Sequence, residues 1–188
     1  MANSYIVTSK TLSQLKQKAR DLKKSAGIPH HEALEQVAKG IGLPNWHKVA
    51  ESAEITAQTE KAYLSGLIVA FDMKDAGSFD PANIFIEDQQ ALAFCEKDLL
   101  ASFRKACEDE GEPATEEEVE DYRNELHWNH VLFRYVGHEL PVTVRDALNL
   151  IYEKSFWAPL YVWLKGGFYE TGYEGAQDEE GEIAGIRL

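Results

Sequence analysis

Apolar positions near the start of the chain follow the period of an α-helix. Between residues 11 and 25, leucine and alanine recur every three or four residues, which places them on one helical face. Gly27 and Pro29 then predict the end of this helix. The same period predicts a second helix over residues 30–41, and Asn45 is a good N-cap for a short third helix. The chain therefore begins with a predicted three-helix module.

Farther along the chain, strand and helix patterns alternate. The continuous apolar run Leu67–Phe71 predicts a buried strand, and residues 83–87 predict a second strand that forms a hairpin with it. The aromatic segment 156–164 resembles a strand, with Pro159 marking an edge or an interruption. Three helices are also predicted: residues 88–107, residues 116–130 behind a capping box of Thr115 and Glu118, and a helix starting near Thr143.

These patterns predict an α+β fold, in which a small three-helix module precedes a mixed domain of helices and antiparallel sheet. We divide the chain into a basic helical module at 1–52, a polar linker at 53–61, an acidic α+β domain at 62–175 and an acidic tail at 176–188. The linker is predicted because its sequence lacks an apolar stripe.

Charge is distributed unevenly over the 188 residues. The formal net charge is −13, which argues against a protein that coats nucleic acid, because such binding depends on clustered lysine and arginine. Residues 1–50, however, carry eight basic and three acidic side chains, whereas the remainder carries 11 basic and 29 acidic ones. Nucleic-acid contact is therefore left open for the basic head only.

The sequence also predicts the compartment. No stretch reaches the roughly 18 apolar residues needed to span a bilayer, and the first residues lack a secretory pattern. Cys95 and Cys107 fall on one predicted helix about 18 Å apart, too far for a disulfide. We expect a cytoplasmic protein with reduced thiols and no membrane contact.

Residues 34–43 resemble the first helix and turn of a helix-turn-helix, with Ala38 at the helix crossing and Gly42 in the turn. The third helix departs from that pattern, because Lys48 stands where a buried aliphatic residue is usual. Packing of two helices without DNA is the alternative. The predicted nucleic-acid or partner-binding residues are Lys16, Arg20, Lys23, Lys24, Asn45, His47 and Lys48.

The same stretch carries a second resemblance, which covers residues 12–50. It depends on spaced residues of all three helices: Leu15, Lys16, Ala19, Leu22, Ile28, His30, Ala33, Leu34, Val37, Ala38, Gly42, Leu43, Asn45 and Trp46. This pattern is similar to a helical module of bacterial proteins labelled glyoxalase-related or glyoxalase-superfamily, many of them plasmid-borne. The resemblance implies a bacterial, mobile-element origin. It does not imply glyoxalase chemistry, since no matching metal-binding repeat follows.

A dense group of acids precedes and begins the second predicted helix of the body. The predicted acidic partner face consists of Glu116, Glu117, Glu118, Glu120 and Asp121. Such a face suits a basic partner protein. It could equally mimic the phosphate spacing of nucleic acid. The alternative to both is solvated surface charge on an exposed helix.

Candidate chemistry is sparse. His127 and His130 lie three residues apart near acids, so one helix face would present two imidazoles, but the sequence has no HExxH or CxxC motif. Polar histidines at a helix end are the alternative, and we predict neither metal nor cofactor. Cys107 lacks a histidine partner in the sequence, and no phosphate-binding glycine loop or nucleophile elbow is present.

Three hypotheses of function follow. The first is a non-enzymatic bacterial regulatory or accessory protein, whose basic head contacts DNA or a partner and whose acidic body binds a protein. The second is an acidic inhibitor of the antitoxin, immunity or anti-restriction type. The third is an enzyme with a histidine and carboxylate site in the body. The aromatic segment 156–173 is either core or, if its rings are exposed, an anchor for a protein interface.

Overall fold

The computed structural model describes residues 5–171 and a two-residue strand at 186–187. Within this part of the chain lie six α-helices and six strands, which confirms the predicted α+β class. The chain divides into two compact units, residues 1–60 and residues 61–188. The predicted tail lies outside the described residues, apart from the strand at 186–187.

The first unit contains the predicted three helices. They are α1 (Ser9–Ala26), α2 (His30–Gly40) and α3, which begins at Trp46 and ends at Ser65. Gly27 ends α1 in the left-handed conformation that glycine adopts most readily. The core of this unit is formed by small and aliphatic side chains of all three helices and of the segments around them: Val7, Leu15, Ala19, Ala33, Val37, Ala38, Leu43, Val49 and Ala53.

The predicted linker at 53–61 is wrong, because these residues lie inside α3. Their buried face includes Thr56 and Thr59, which are polar, so a search for apolar periodicity does not detect it. The hydroxyl of Thr56 accepts a hydrogen bond from the backbone N–H of Val7 at 3.2 Å. The third helix is therefore not short, and the boundary between the units falls within it.

The second unit is built on one antiparallel sheet in the order β2-β3-β1-β4-β5-β6. The strands are β1 (Leu67–Asp72), β2 (Phe85–Glu87), β3 (His130–Tyr135), β4 (Tyr161–Leu164), β5 (Gly167–Thr171) and β6 (Ile186–Arg187). The predicted β1–β2 hairpin is wrong. Both edges of β1 are occupied, by β3 on one side and β4 on the other, so β2 pairs with the outer edge of β3.

Both faces of this sheet are covered by helices. Helices α4 (Ala91–Asp109) and α5 (Glu116–Asn129) pack against one face, and α6 (Val144–Tyr152) packs against the other. Alternate residues of β1 enter the two cores, which explains its continuous apolar run. The predicted capping box at the start of α5 is confirmed, since the Thr115 hydroxyl accepts from the backbone N–H of Glu118 at 3.2 Å.

The aromatic segment forms less strand than predicted. Only Tyr161–Leu164 is extended and paired, because residues 156–160 contain Pro159 and run irregularly before β4. Cys95 and Cys107 both lie on α4 as free thiols, as predicted. No helix in the described residues has the length and apolar character required to cross a membrane.

Candidate functional site

Three strand ends meet at one edge of the sheet. Strand β1 ends at Asp72, β3 begins opposite it at His130, and β4 begins at Tyr161, which pairs with Ala70. Together with the end of α5 they surround a shallow cleft of about 640 Å³, which we call the edge cleft. Its lining is Asp72, Met73, Lys74, Tyr122, Trp128, Asn129, His130, Leu160 and Tyr161.

A carboxylate and an ammonium group pair inside the edge cleft. The Nζ of Lys74 lies 3.1 Å from Oδ2 of Asp72, while the backbone N–H of Lys74 donates to Oδ1 at 3.0 Å. Partial burial acts to raise the pKa of Asp72, but these two groups and the His130 ring outweigh it, so the pKa lies below its usual value. Asp72 is therefore an anion with three-quarters of its side chain covered, at 23% exposure.

His130 lies beside this pair as a partly buried ring. Burial lowers its pKa, and the Leu126 carbonyl and the Asp72 carboxylate offset only part of that effect. The ring is consequently neutral near pH 7. Its Nδ1 is buried and makes no hydrogen bond of ordinary geometry within the described residues, and the Tyr161 ring lies 5.8 Å away, centre to centre.

Two tyrosines line the edge cleft. The hydroxyls of Tyr122 and Tyr161 lie 3.4 Å apart. Burial raises the pKa of Tyr122, and the neighbouring Tyr161 hydroxyl and the carboxylates of Glu170 and Glu125 raise it further. Both acids thus contribute negative potential at the tyrosine, and Tyr122 remains a neutral hydrogen-bonding group.

Large apolar side chains stand exposed around the same edge. Trp128 is 76% exposed and Met73 is 50% exposed, and both line the edge cleft. A second hollow of about 240 Å³, which shares Lys74 and Leu160 with the cleft, is lined by Trp157. Exposed apolar side chains that cluster in one place mark interaction sites, whereas isolated ones are ordinary on protein surfaces. Within the aromatic segment, Trp163 is buried in the core, whereas Trp157 is exposed; its role as an anchor for a protein interface stays a prediction.

An acidic stripe on α5 leads to Trp128. Glu117, Asp121, Glu125 and Trp128 are separated by four, four and three residues, a spacing that places them along one exposed face. We call these four residues the α5 stripe. None of its three acids is paired with another side chain in the described part of the chain, so the charge faces solvent.

Three members of the predicted acidic partner face have local partners. Glu116 lies 3.9 Å from Arg104, Glu118 completes the capping box, and Glu120 pairs with Arg123. Glu117 and Asp121 belong to the α5 stripe. Of the five predicted acids, these two are the ones without a side-chain partner in the described residues, and they share an exposed helix face with Glu125 and Trp128.

The predicted basic residues of the head fall into two groups. Lys16, Arg20, Lys23 and Lys24 are exposed on α1 and follow one helical face at i, i+4, i+7 and i+8. Around the start of α3, Asn45 caps the helix by accepting from the backbone N–H of Lys48 at 2.9 Å, which confirms its predicted capping role. The ammonium of Lys48 pairs with Glu51 at 2.6 Å, and His47 is exposed.

The two candidate metal histidines do not share a helix face. Helix α5 ends at Asn129, so His127 lies exposed in its last turn while His130 is the first residue of β3. Within residues 5–171, no group of three histidine, cysteine or carboxylate side chains is arranged to hold a metal ion.

Sequence reasoning missed Asp72, Tyr161 and Trp128 as site residues. Two signals in the sequence point to them. Asp72 directly follows a buried apolar run, and strand ends commonly carry functional side chains. Trp128 lies between polar residues on a helix dense in charge, where an aromatic residue has no core to enter.

No family model matches the chain, and no curated protein or solved structure matches it. Function is therefore inferred from the chain's own surfaces. The edge cleft is open, whereas catalysis benefits from a site that excludes water. Its geometry suits the binding of a side chain that belongs to a larger partner.

Proposed function

We propose that this protein is a non-enzymatic bacterial accessory protein whose body binds a basic protein partner. The binding surface is the α5 stripe together with the edge cleft. The observation that carries the proposal is the position of Trp128, which is 76% exposed at the end of an unpaired acidic stripe and at the rim of the cleft.

Charge and apolar area contribute differently to such a surface. Exposed acids attract a basic partner over a Debye length of about 8 Å at physiological salt and accelerate its association. Trp128 and Met73 supply the apolar area from which most of the affinity of a protein interface comes. A partner with a basic segment and one aromatic or aliphatic anchor would match both the acidic charge and the apolar area of this surface.

The head contributes a second, separate contact in this proposal. Six basic side chains and one acidic side chain lie on α1, and the four bases of one face are exposed. Such a face fits the phosphates of DNA, where each neutralised phosphate releases counterions. The resemblance of residues 12–50 to the module of plasmid-borne proteins supports a bacterial, cytoplasmic setting for both contacts.

A displayed library of random peptides tests the body's role. Selection on the full chain is expected to enrich peptides rich in arginine and lysine with one large apolar residue. The same peptides should lose at least tenfold in affinity for the variant Glu117→Lys, Asp121→Lys, Glu125→Lys, because each reversal replaces an attraction by a repulsion of about 0.5 kcal/mol or more.

The matched control reverses three acids in the last turn of α4 and the loop after it, with Glu108→Lys, Glu110→Lys and Glu112→Lys. It changes net charge by the same amount away from the stripe. Equal loss in both variants, or enrichment of neutral or acidic peptides, would contradict the proposal.

The acidic-inhibitor hypothesis uses the same surface of the body and assigns the head no contact. Neutralising the four exposed bases of α1 distinguishes the two. If the full chain binds DNA and this variant does not, the accessory role is supported. If neither binds DNA, the inhibitor role becomes the better account.

A further inference from the structure

The edge cleft brings together groups that all favour a cation. The Asp72 carboxylate is ionised, the rings of Trp128, Tyr122 and Tyr161 line the walls, and the cleft lies at the carbonyl end of α5. Aromatic faces attract cations through their quadrupole, and the C-terminal end of a helix carries partial negative charge. The acids Glu125 and Glu170 lie close enough to act on Tyr122.

We propose that the edge cleft binds the guanidinium group of an arginine side chain from the basic partner. This inference rests on the proposed function and names the chemistry that the cleft recognises. Guanidinium fits better than ammonium because its planar fork can donate to the Asp72 carboxylate while its face stacks on an aromatic ring.

Lys74 supplies an internal precedent for this occupant. Its ammonium already lies on the Asp72 carboxylate at 3.1 Å, so the cleft accepts a cation at that position. The Lys74 side chain is 65% exposed, and a long exposed side chain leaves an ion pair at little cost. An incoming arginine therefore competes with Lys74 for one carboxylate.

The other groups in the cleft argue against an anionic occupant. Burial keeps the His130 ring neutral near pH 7, and the positive charge of Lys74 is matched by Asp72. An anion that took Lys74 as its partner would leave the Asp72 carboxylate unpaired beside it, and it would also face the α5 carbonyl end and the nearby acids. A neutral planar group would stack on the rings but would gain no ionic attraction from the Asp72 carboxylate. The carboxylate therefore distinguishes a guanidinium group from a neutral group of the same shape.

The test uses two small probes that are similar in shape but differ in charge. N-acetyl-argininamide and N-acetyl-citrullinamide have nearly the same shape, but citrulline is neutral. Each is titrated into the ¹⁵N-labelled full chain, and the four tryptophan indole N–H signals are followed. The Trp128 signal, assigned with Trp128→Phe, is expected to shift with the arginine probe at a Kd in the millimolar range, while those of Trp46 and Trp163 stay in place.

Two substitutions are expected to change the affinity for the arginine probe in opposite directions. Asp72→Asn removes the carboxylate and should weaken binding of the arginine probe about fivefold or more. Lys74→Met removes the internal competitor and should strengthen it about two- to fivefold. Glu108→Gln removes a charge outside the cleft and serves as the control for net charge.

The proposal is overturned if the Trp128 signal does not respond to the arginine probe, if the citrulline probe binds equally well, or if Lys74→Met weakens binding. These results do not depend on the three acids of the α5 stripe, which the stripe variant reverses. If the stripe variant loses basic peptides while the arginine probe leaves Trp128 unmoved, the proposed function stands and the arginine site does not. If the arginine probe binds but the stripe variant still binds the basic peptides, the arginine site stands and the proposed function does not.

Discussion

Helices α1 and α5 carry opposite charge at similar density. Helix α1 has six bases and one acid over 18 residues, and α5 has six acids and one base over 14 residues. Part of each charge stabilises its own helix, since Lys23 and Lys24 lie in the last turn of α1 and three glutamates lie in the first turn of α5. In charge alone, the two helices are equivalent candidates for a binding surface.

Their surroundings distinguish them. The α5 stripe ends at an exposed tryptophan and a cleft, whereas the basic face of α1 has no large exposed apolar side chain along it. Charge without apolar area suits a phosphate backbone, and charge beside apolar area suits a protein interface. We therefore propose different classes of partner for the two helices.

The largest expected effect contrasts the two faces of α5. Leu126 is fully buried and Trp128 is 76% exposed two residues later. Leu126→Ala should lower the free energy of unfolding by about 2–5 kcal/mol, because it opens a cavity in the core. Trp128→Ala should change it by less than about 0.5 kcal/mol. Urea denaturation measures both, and a large loss in Trp128→Ala would show that the ring serves packing and not binding.

The next effect concerns α1. Replacing Lys16, Arg20, Lys23 and Lys24 by glutamine should reduce the slope of log affinity for duplex DNA against log salt by about 3–4, at roughly 0.9 for each phosphate contact. A fluorescence anisotropy titration at several salt concentrations gives the slope. Lys10→Gln, Lys18→Gln and Lys39→Gln form the control set. If that set reduces the slope equally, DNA does not bind preferentially to the proposed face of α1.

A smaller effect tests how each helix is anchored at its start. Thr115 participates in a complete capping box. Thr8 accepts a hydrogen bond from the backbone N–H of Thr11 and shares one with the Thr11 hydroxyl, but no carboxylate within residues 5–171 returns a bond to its own backbone N–H as in the box. Thr115→Ala should cost about 1 kcal/mol of stability, with Thr8→Ala costing less. Thermal denaturation of the two variants ranks them, and the opposite order would mean that the box adds nothing beyond a single cap.

The smallest effect is a pH dependence at the edge cleft. Since burial lowers the pKa of His130, the unfolded chain binds a proton that the folded chain does not bind. Stability should therefore decline as pH falls below the usual histidine value of 6.5, until the pH reaches the folded value. The Asp72 carboxylate stays ionised over this window, because its pKa lies below its usual value.

The matched variant for this effect is His130→Gln. The difference between wild type and variant in the free energy of unfolding, measured at pH 7.5 and pH 5.5, isolates the histidine contribution. The wild type should lose more on acidification. Equal losses would mean that the ring is solvated in the folded chain.

Local sequence signals account for the parts of the fold that were predicted correctly. The periodicity of α1 and α2, the capping box of α5 and the continuous apolar run of β1 each reflect interactions within a few residues or burial on both faces. Strands β3 and β5 were missed, because their residues are only partly buried and their pairing partners are distant in sequence. Helix α3 was predicted too short, because threonines form part of its buried face and interrupt the apolar pattern.

The candidate site was predicted only in outline. The acids of α5 and the capping box of Glu118 were recognised from the sequence, but the ion pairs of Glu116 and Glu120 with arginines are revealed only by the folded chain. The edge cleft joins Asp72, His130 and Tyr161, which are far apart in the sequence. Strand register brings them together, and no local pattern encodes that register.

The most direct measurement is a map of backbone amide shifts in the ¹⁵N-labelled full chain on addition of a selected basic peptide. The account predicts that the changes concentrate on residues 117–129 of α5 and around Asp72, Lys74 and Tyr161 at the edge cleft. Changes spread evenly over every acidic segment, including residues 108–112, or centred on α1, would contradict it.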